Sequence, residues 1–344
     1  MEHVGMDLGK RQSHACWLSE GGEIRHLRIR STREALTTEF GGRRGRILIE
    51  ATSMSEWVAR LFESLGGWDV VVACPNYAPM YAERTRRVKT DRRDAEALMW
   101  ACVKGNYRPV HRLSDEARLL RMTVKVRKGL VRARGKAAVQ AKALLVPHGI
   151  QLETGRPCYF PERLLAADLS PALRYELAPL VDLVTHLNDP ISRTEERLKE
   201  IAKQDPCARR LATVPGVGPV TAACWIASLD TPERFANGEQ VVAYLGLVPS
   251  EWSSSEMRRQ GRITKVGPSD LRELLVEGAW HVLNHPTPDA ASLRAWALRI
   301  ATRRGRNKAV VALARRMARI LFAIWRDGTS YSALRTDAKK VAVG

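Results

Sequence analysis

The strongest constraint in the chain is the stretch Lys89-Thr90-Asp91-Arg92-Arg93-Asp94-Ala95-Glu96-Ala97-Leu98, where two aspartates three apart open an apolar, helix-forming run. That spacing sets both carboxylates on one helical face. Burying a like-charged pair against a core is costly unless a cation lies between them, so an Asp pair leading into a helix marks half of a divalent-metal site. The other half is expected upstream. Asp7 closes the run Val4-Gly5-Met6-Asp7 and Glu50 closes Arg46-Ile47-Leu48-Ile49-Glu50. Each is a strand-like end where a side chain leaves the core and reaches a shared cleft. A single helix-start Asp is more simply an N-cap or a dipole partner, but four acids in this order carry more weight together.

Residues 1–108 read as a mixed α/β domain. Apolar runs at Val4–Met6, Ala15–Leu18, Ile24–Ile29, Arg46–Glu50 and Asp69–Ala73 are short and bounded by Gly, Ser or charge, as strands are. Gly21-Gly22 supplies a hairpin turn between the second and third. Thr32–Phe40 and Ser53–Leu65 carry helical spacing, with Thr52 or Ser53 as a cap and Glu56 three residues beyond Ser53. Asp at the end of a first strand, Glu at the end of a later one and D-x-x-D on a following helix is the order in which RNase H-like nucleases assemble a two-metal site. The turn Asp7-Leu8-Gly9-Lys10 also resembles the opening of actin-like and sugar-kinase ATPases, but those need a downstream Asp-Gly-Gly phosphate turn that this chain lacks.

At 344 residues the chain has room for two or three domains. It carries 56 Lys and Arg against 37 Asp and Glu, a formal net charge of +19 and a pI near 10.2, which points to a polyanion, nucleic acid by default. The excess is uneven: residues 109–150 hold 10 basic and 2 acidic side chains. No run of about 18 apolar residues offers a membrane span and the N-terminus lacks a signal pattern, so a cytoplasmic protein is expected. Six cysteines without a C-x-x-C give neither a zinc ribbon nor a disulfide framework, and reduced, structural thiols are expected. His281 and His285 stand four apart on a helical stretch with Glu277 one turn before them, but zinc needs a third ligand in an open geometry and Pro286 ends the helix at once, which argues against a metal role.

From Ser114-Asp115-Glu116, a good helix start, a long helical stretch runs towards Pro147. Arg118, Arg121, Lys125, Lys128 and Arg132 follow at steps of three and four and line one face, with Leu119, Met122, Val126, Leu130 and Ala133 as the neighbouring apolar seam. No acid falls between Glu116 and Glu153, so this face is expected to contact a nucleic-acid backbone. Residues 151–178 read as a loop-rich connector. Beyond it Leu180, Val184, Leu187, Ile191, Thr194, Leu198 and Ile201 form a coiled-coil seam interrupted at Pro190, which predicts a kinked helical hairpin packed either against the 115–146 helix or against a second subunit.

Residues 206–344 read as a mainly helical domain. Val214-Pro215-Gly216-Val217-Gly218-Pro219 between two helical stretches predicts a helix-hairpin-helix turn, with Gly216 and Gly218 letting the backbone approach a phosphate. Next comes Tyr244-Leu245-Gly246-Leu247-Val248-Pro249-Ser250-Glu251-Trp252-Ser253-Ser254-Ser255-Glu256-Met257-Arg258-Arg259-Gln260-Gly261-Arg262-Ile263-Thr264-Lys265-Val266-Gly267, a polar, irregular loop with three serines beside Arg258, Arg259, Arg262 and Lys265. A serine hydroxyl needs an activating partner, and no His base or G-x-S-x-G context is near, so activation falls to the metal cluster.

The four acids, then V-P-G-V-G-P, then the serine block, together resemble the DEDD transposases of bacterial insertion sequences, the insertion sequence 110 family related to the pilin-gene inverting recombinases. The resemblance covers nearly the whole chain and rests on two motif blocks in the family's order. It implies an N-terminal RuvC-like domain over 1–108, holding one or two Mg²⁺ ions through Asp7, Glu50, Asp91 and Asp94. A helical coiled-coil region over 109–205 and a transposase domain over 206–344 follow, so the fold class is α/β followed by all-α. In that family the nucleophile is the second serine of an S-S-G run, which falls on Ser254, with Ser255 here in place of the glycine. A structured guide RNA from the same element, pairing with donor and target DNA, is implied as a partner.

The expected function is a transposase that cuts and rejoins DNA with a composite active site drawn from two domains, acting as a homo-oligomer, dimer or tetramer. Arg258, Arg259, Arg262 and Lys265 neutralise the scissile phosphate and its neighbours. A Holliday-junction endonuclease needs the acids but not the serine loop. A non-catalytic nucleic-acid-binding remnant would need neither, and the presence of all four acids argues against it.

Overall fold

Period-two alternation of apolar side chains builds the first part of the chain. Five strands, β1 (Glu2–Asp7), β2 (Gln12–Leu18), β3 (Ile24–Arg30), β4 (Gly45–Glu50) and β5 (Trp68–Ala73), form one sheet in the order β3-β2-β1-β4-β5. β1 runs antiparallel to β2 and parallel to β4, β3 antiparallel to β2, and β5 parallel to β4. The computed structural model describes residues 1–82, 90–253 and 258–332. In it the chain divides into two units, Met1–Arg112 and Leu113–Gly344.

Successive strand residues point to opposite faces. Val4, Met6, Ala15, Trp17, Ile47 and Ile49 face one way and pack with Phe40 of α1 (Arg33–Phe40) and Val58 and Phe62 of α2 (Ser55–Leu65). The other face takes α3 (Asp91–Lys104): Leu48 and Ala73 meet Leu98 and Cys102, and Cys16 meets Ala95 and Met99. α3 lies so close to β1 that a Cβ on Gly5 would sit 2.0 Å from the Met99 amide nitrogen and 2.3 Å from the Ala95 carbonyl oxygen. Only glycine permits that approach. The expected cap of α2 at Thr52 or Ser53 is not formed: Met54 holds the cap position without a side-chain bond. Ser55 Oγ instead donates to the Thr52 carbonyl at 3.0 Å, and Glu56 accepts from Arg112 at 2.9 Å.

The second unit comprises α4 (Asp115–Leu145), α5 (Phe160–Ala166), α6 (Pro171–Gln204), α7 (Pro206–Leu211), α8 (Pro219–Leu229), α9 (Gly238–Tyr244), the antiparallel hairpin β6 (Pro249–Ser253) and β7 (Arg258–Ile263), α10 (Ser269–Asn284), α11 (Ala291–Arg304) and α12 (Arg306–Asp327). Three sequence expectations change here. Residues 151–178 hold α5 and the opening turns of α6, with Ser170 capping Pro171 at the first helical position. α6 continues through Pro179 and Pro190 as one helix; an interior proline costs about 3 kcal/mol, which the burial of Val184, Ile191 and Leu198 offsets. The stretch read as an irregular loop contains the β6–β7 hairpin.

The inward seam of α4 also differs from the predicted one. Leu119, Met122 and Val126 are 61%, 58% and 51% exposed. The side that faces the other helices repeats Ala117, Leu120, Val124, Arg127, Val131, Arg134, Ala138, Ala141 and Leu145 at steps of three and four. Its two arginines reach α6, Arg127 to Glu195 at 2.6 Å and Arg134 to Asn188 at 2.8 Å, so the two helices run antiparallel. α8 packs on α4, α6 and α10, with Trp225 fully buried against Trp325 of α12. No helix among the described residues is long and apolar enough to cross a membrane.

The Gly5 contact makes a direct prediction. Gly5→Ala forces α3 off β1 and lowers stability by about 1–3 kcal/mol or more, the cost of overpacking a tight contact. Gly129→Ala, on α4 with nothing within 4 Å of the added carbon, raises it by up to about 1 kcal/mol. Urea unfolding of the two variants checks both, and equal effects would contradict the packing account.

Candidate active site

Asp7 and Glu50 end β1 and β4, and the parallel register carries them to one level, one residue beyond the Met6–Ile49 pair. Alternation from Gly5 and Leu48, which face α3, turns both acids to the α3 side of the sheet. α3 brings the other two. Thr90 caps it, its Oγ1 accepting from the Arg93 amide at 3.4 Å and its carbonyl from the Asp94 amide at 3.0 Å. Asp91 opens the helix with its side chain 70% exposed. Asp94, one turn on, is 3% exposed and is the only charged side chain among the described residues that is buried.

Two neighbours carry no motif and sequence reasoning missed them. Tyr81 follows β5 in a short helical turn, Ala78–Tyr81, and donates its hydroxyl to Glu50 Oε2. His14 pairs with Asp7 across β1 and β2 and sets Nε2 3.9 Å from Asp91 Oδ2. The signal for His14 was its even register with Cys16 on the α3 face; nothing in the sequence singled out Tyr81. With Glu50 and Asp91 engaged by these partners, no three His, Cys, Asp or Glu side chains among the described residues gather closely enough to hold an ion. Asp7 and Glu50 share the α3 face of the sheet, and the acids do not converge on a point.

The basic face of α4 is divided between internal and external roles. Lys128, 16% exposed, hydrogen-bonds Asp270 and lies 2.6 Å from Glu273, both on α10. Arg132 lies 3.3 Å from Glu273, and Arg118 3.2 Å from Asp115. Arg121 and Lys125 make no ion pair among the described residues. At the expected helix-hairpin-helix turn, Gly216 has φ +81° and its closest approach is to α10: a Cβ there would lie 2.5 Å from the Gly278 carbonyl oxygen. Its freedom serves helix packing. Gly218 stands at the N-cap of α8 with open space around it.

Ser254 lies outside the described residues, between β6 and β7. The hairpin that carries it is rooted firmly. Gly246 and Gly267 have φ +64° and +78°, and a Cβ on either would meet backbone at 2.4 Å and 1.9 Å. Arg272 of α10 bonds the Leu245 and Val266 carbonyls at 2.9 and 3.0 Å. Ser253 pairs with Arg258 and Trp252 with Arg259, so those two arginines start the returning strand; Arg262 lies on it and Lys265, at φ +57°, just past its end. The six cysteines are free. Burial pushes the Cys16, Cys102 and Cys224 thiols up to about 12, so they stay protonated and unreactive at neutral pH.

Comparison with known proteins adds the family. Residues 208–294 match the family model described as Transposase IS116/IS110/IS902 family, and residues 4–148 match the DEDD transposase model of IS110. The chain is 32% identical to a putative transposase, y4pF/y4sB, of Sinorhizobium fredii over 85% of this chain and 76% of that one. It is 30% identical to a probable family 20 transposase of Pseudomonas aeruginosa, covering 96% and 98% of the two chains. With the transposase for insertion sequence element IS1111A of Coxiella burnetii it shares 28% identity over 95% and 90%.

The internal pair of Lys128 gives a pH-dependent prediction. Burial opposes both charges, yet the contacts with Asp270 and Glu273 hold Lys128 above its usual value and Lys128 holds Asp270 below the usual carboxylate range. A depressed acid stabilises above its unfolded pKa, about 3.9, and loses that contribution as pH falls through the folded value; a raised amine stabilises below about 10.4 and loses it as pH rises further. Lys128→Met therefore costs about 1–2 kcal/mol near pH 7, and the difference from the native chain shrinks near pH 3. Urea unfolding at the two pH values measures this. A penalty that stays constant down to pH 3 would show that packing, not charge, is lost.

Proposed function

Because the chain belongs to the IS116/IS110/IS902 family of insertion-sequence transposases, we propose that it cuts and rejoins DNA through a carboxylate metal cleft and a serine nucleophile. It is an enzyme, a DNA transposase. The observation that carries the rest is the shared face: Asp7 and Glu50 end neighbouring parallel strands on the side where α3 packs, and Asp94 is buried in the first turn of α3. Four carboxylates supply oxygen donors that suit a hard cation, so the residues fit one or two Mg²⁺ ions held by Asp7, Glu50, Asp91 and Asp94. Such ions, when bound, polarise the scissile phosphate and stabilise the departing oxygen.

The chain's own groups do the rest. Tyr81 holds Glu50 by its hydroxyl until Glu50 turns to the ion, and His14 stands 3.9 Å from Asp91. Ser254 Oγ attacks phosphorus: the O–P bond forms, the bond to the departing strand end breaks, the hydroxyl proton passes to solvent and the freed oxygen takes one up. The phosphoserine link keeps the phosphodiester energy, and attack by the receiving strand's hydroxyl releases Ser254. Arg258, Arg259, Arg262 and Lys265 neutralise the phosphates there.

The order β3-β2-β1-β4-β5 with β2 antiparallel supports an RNase H-like, RuvC-like domain over 1–108. The antiparallel α4–α6 pair supports a coiled-coil region over 109–205, and the α7–α8 turn with Gly216 and Gly218 a helix-hairpin-helix element in a domain over 206–344. The exposed stripe Leu119, Met122 and Val126 supports contact with a second copy, in a dimer or tetramer. The family resemblance implies a structured guide RNA as a further partner, and the net charge of +19 suits a polyanion of either kind. Arg118, Arg121, Lys125 and Arg132 grip phosphates, with Lys128 behind them.

Asp7→Asn and Asp94→Asn are expected to abolish strand cleavage and leave nucleic-acid binding intact; full activity in either, or in excess chelator, sinks the metal reading. Ser254→Ala is expected to bind DNA yet trap no covalent adduct, whereas Ser253→Ala and Ser255→Ala retain one. Cleavage by Ser254→Ala at the native rate without adduct would instead mark a junction-type endonuclease. Arg121→Ala with Lys125→Ala should flatten the salt dependence of duplex binding by about two units of slope, near 0.9 per lost contact; an unchanged slope leaves α4 as a solvated face.

A further inference from the structure

On the sheet face that carries Asp7, three residues of adjoining strands stand in one row. Asp7 pairs with His14, and His14 pairs with Arg28. The row runs from the strand-end acid across β2 to the edge strand β3, a Cα span of about 10 Å at two strand spacings. Arg30, two residues on, pairs with Gln12 and shares the face. Leu27 and Ile29 pack into the opposite core with α1 and α2, which fixes the direction of their neighbours. α3 packs over β1, β2 and β4, and Arg28 and Arg30 remain exposed.

Lys10 and Arg11, exposed at the turn that follows Asp7, border a surface cavity together with Arg30. None of these four cations makes an ion pair among the described residues. Arg25 and Arg46 of the same unit are matched, with Glu23 at 3.2 Å and with Asp69 at 2.6 Å. Charge on an edge strand also guards against strand addition, but that role is filled by either sign at any point along the strand. Here the four are all positive and all lie at the Asp7 end of the sheet. Four unmatched cations at a rigid edge repel one another unless an anion joins them, and the anion that must reach Asp7 is a DNA strand.

We propose that Lys10, Arg11, Arg28 and Arg30 form a phosphate track that carries the DNA strand into the acid cleft, with Arg28 on a phosphate flanking the one that is cut. The track rests on the metal-cleft reading above. Its residues position the strand and take no part in bond making.

The test uses the full chain, single-stranded DNA bearing the cleavage site, and RNA of the same sequence. Arg28→Ala with Arg30→Ala is expected to lower the slope of log affinity against log salt on DNA by about 1.4, two contacts at about 0.7 each. KM for cleavage rises at unchanged kcat, the mark of lost ground-state binding. Arg28→Lys with Arg30→Lys keeps the charge and restores the native slope, which a merely structural role would not predict. A native slope in the alanine pair, or a loss seen on RNA and not on DNA, overturns the track. Asp7→Asn separates the two claims: it keeps the slope and loses cleavage, and if it still cuts, the metal reading fails while the slope still judges the track.

Discussion

The contact between the α3 backbone and Gly5 is the constraint on which the placement of the acids depends. With no side chain at Gly5, the helix settles directly on β1, and Ala95 and Met99 fit against Cys16. The helix start is thereby fixed against β1, and Asp94 is carried into a buried position. A larger residue at position 5 would lift α3 and separate Asp94 from Asp7 before it touched any acid.

The same economy governs charge. The sequence carries a large positive excess, but much of it is used inside the second unit: Lys128 on Asp270 and Glu273, Arg127 on Glu195, and Arg315 and Arg319 on Glu239. Among the cations that make no ion pair within the described residues are Arg121 and Lys125 on α4 and Lys10, Arg11, Arg28 and Arg30 at the Asp7 end of the sheet. Position relative to partners, more than total charge, decides which cations remain for phosphate.

Much of this was legible in the sequence, for a physical reason in each case. Strand alternation and strand-end acids depend on period-two patterning and register, which are local, so the five strands and the face of Asp7 and Glu50 could be read directly. The family followed from motif order. The phase of α4 could not be read, because its inward seam includes Arg127 and Arg134, whose partners Glu195 and Asn188 lie more than fifty residues away. A run without acids looked like an open basic face for the same reason: the acids come from α10. Pro190 looked like a break because its cost is local while the burial of Ile191 and Leu198 that offsets it is not. At Gly216 the sequence showed the turn but not its close approach to Gly278 of α10, which comes from residues more than sixty positions away. Tyr81 had no motif at all.

The central claim is that Asp7, Glu50, Asp91 and Asp94 close on divalent metal. Anomalous scattering from crystals of the full chain soaked in Mn²⁺ tests it most directly. The account predicts a peak bounded by Asp7 and Asp94 on the α3 face of the sheet, with Glu50 turned from Tyr81 towards it and the peak absent in Asp94→Asn. Saturating Mn²⁺ bound elsewhere, or a peak unchanged in Asp94→Asn, would contradict it.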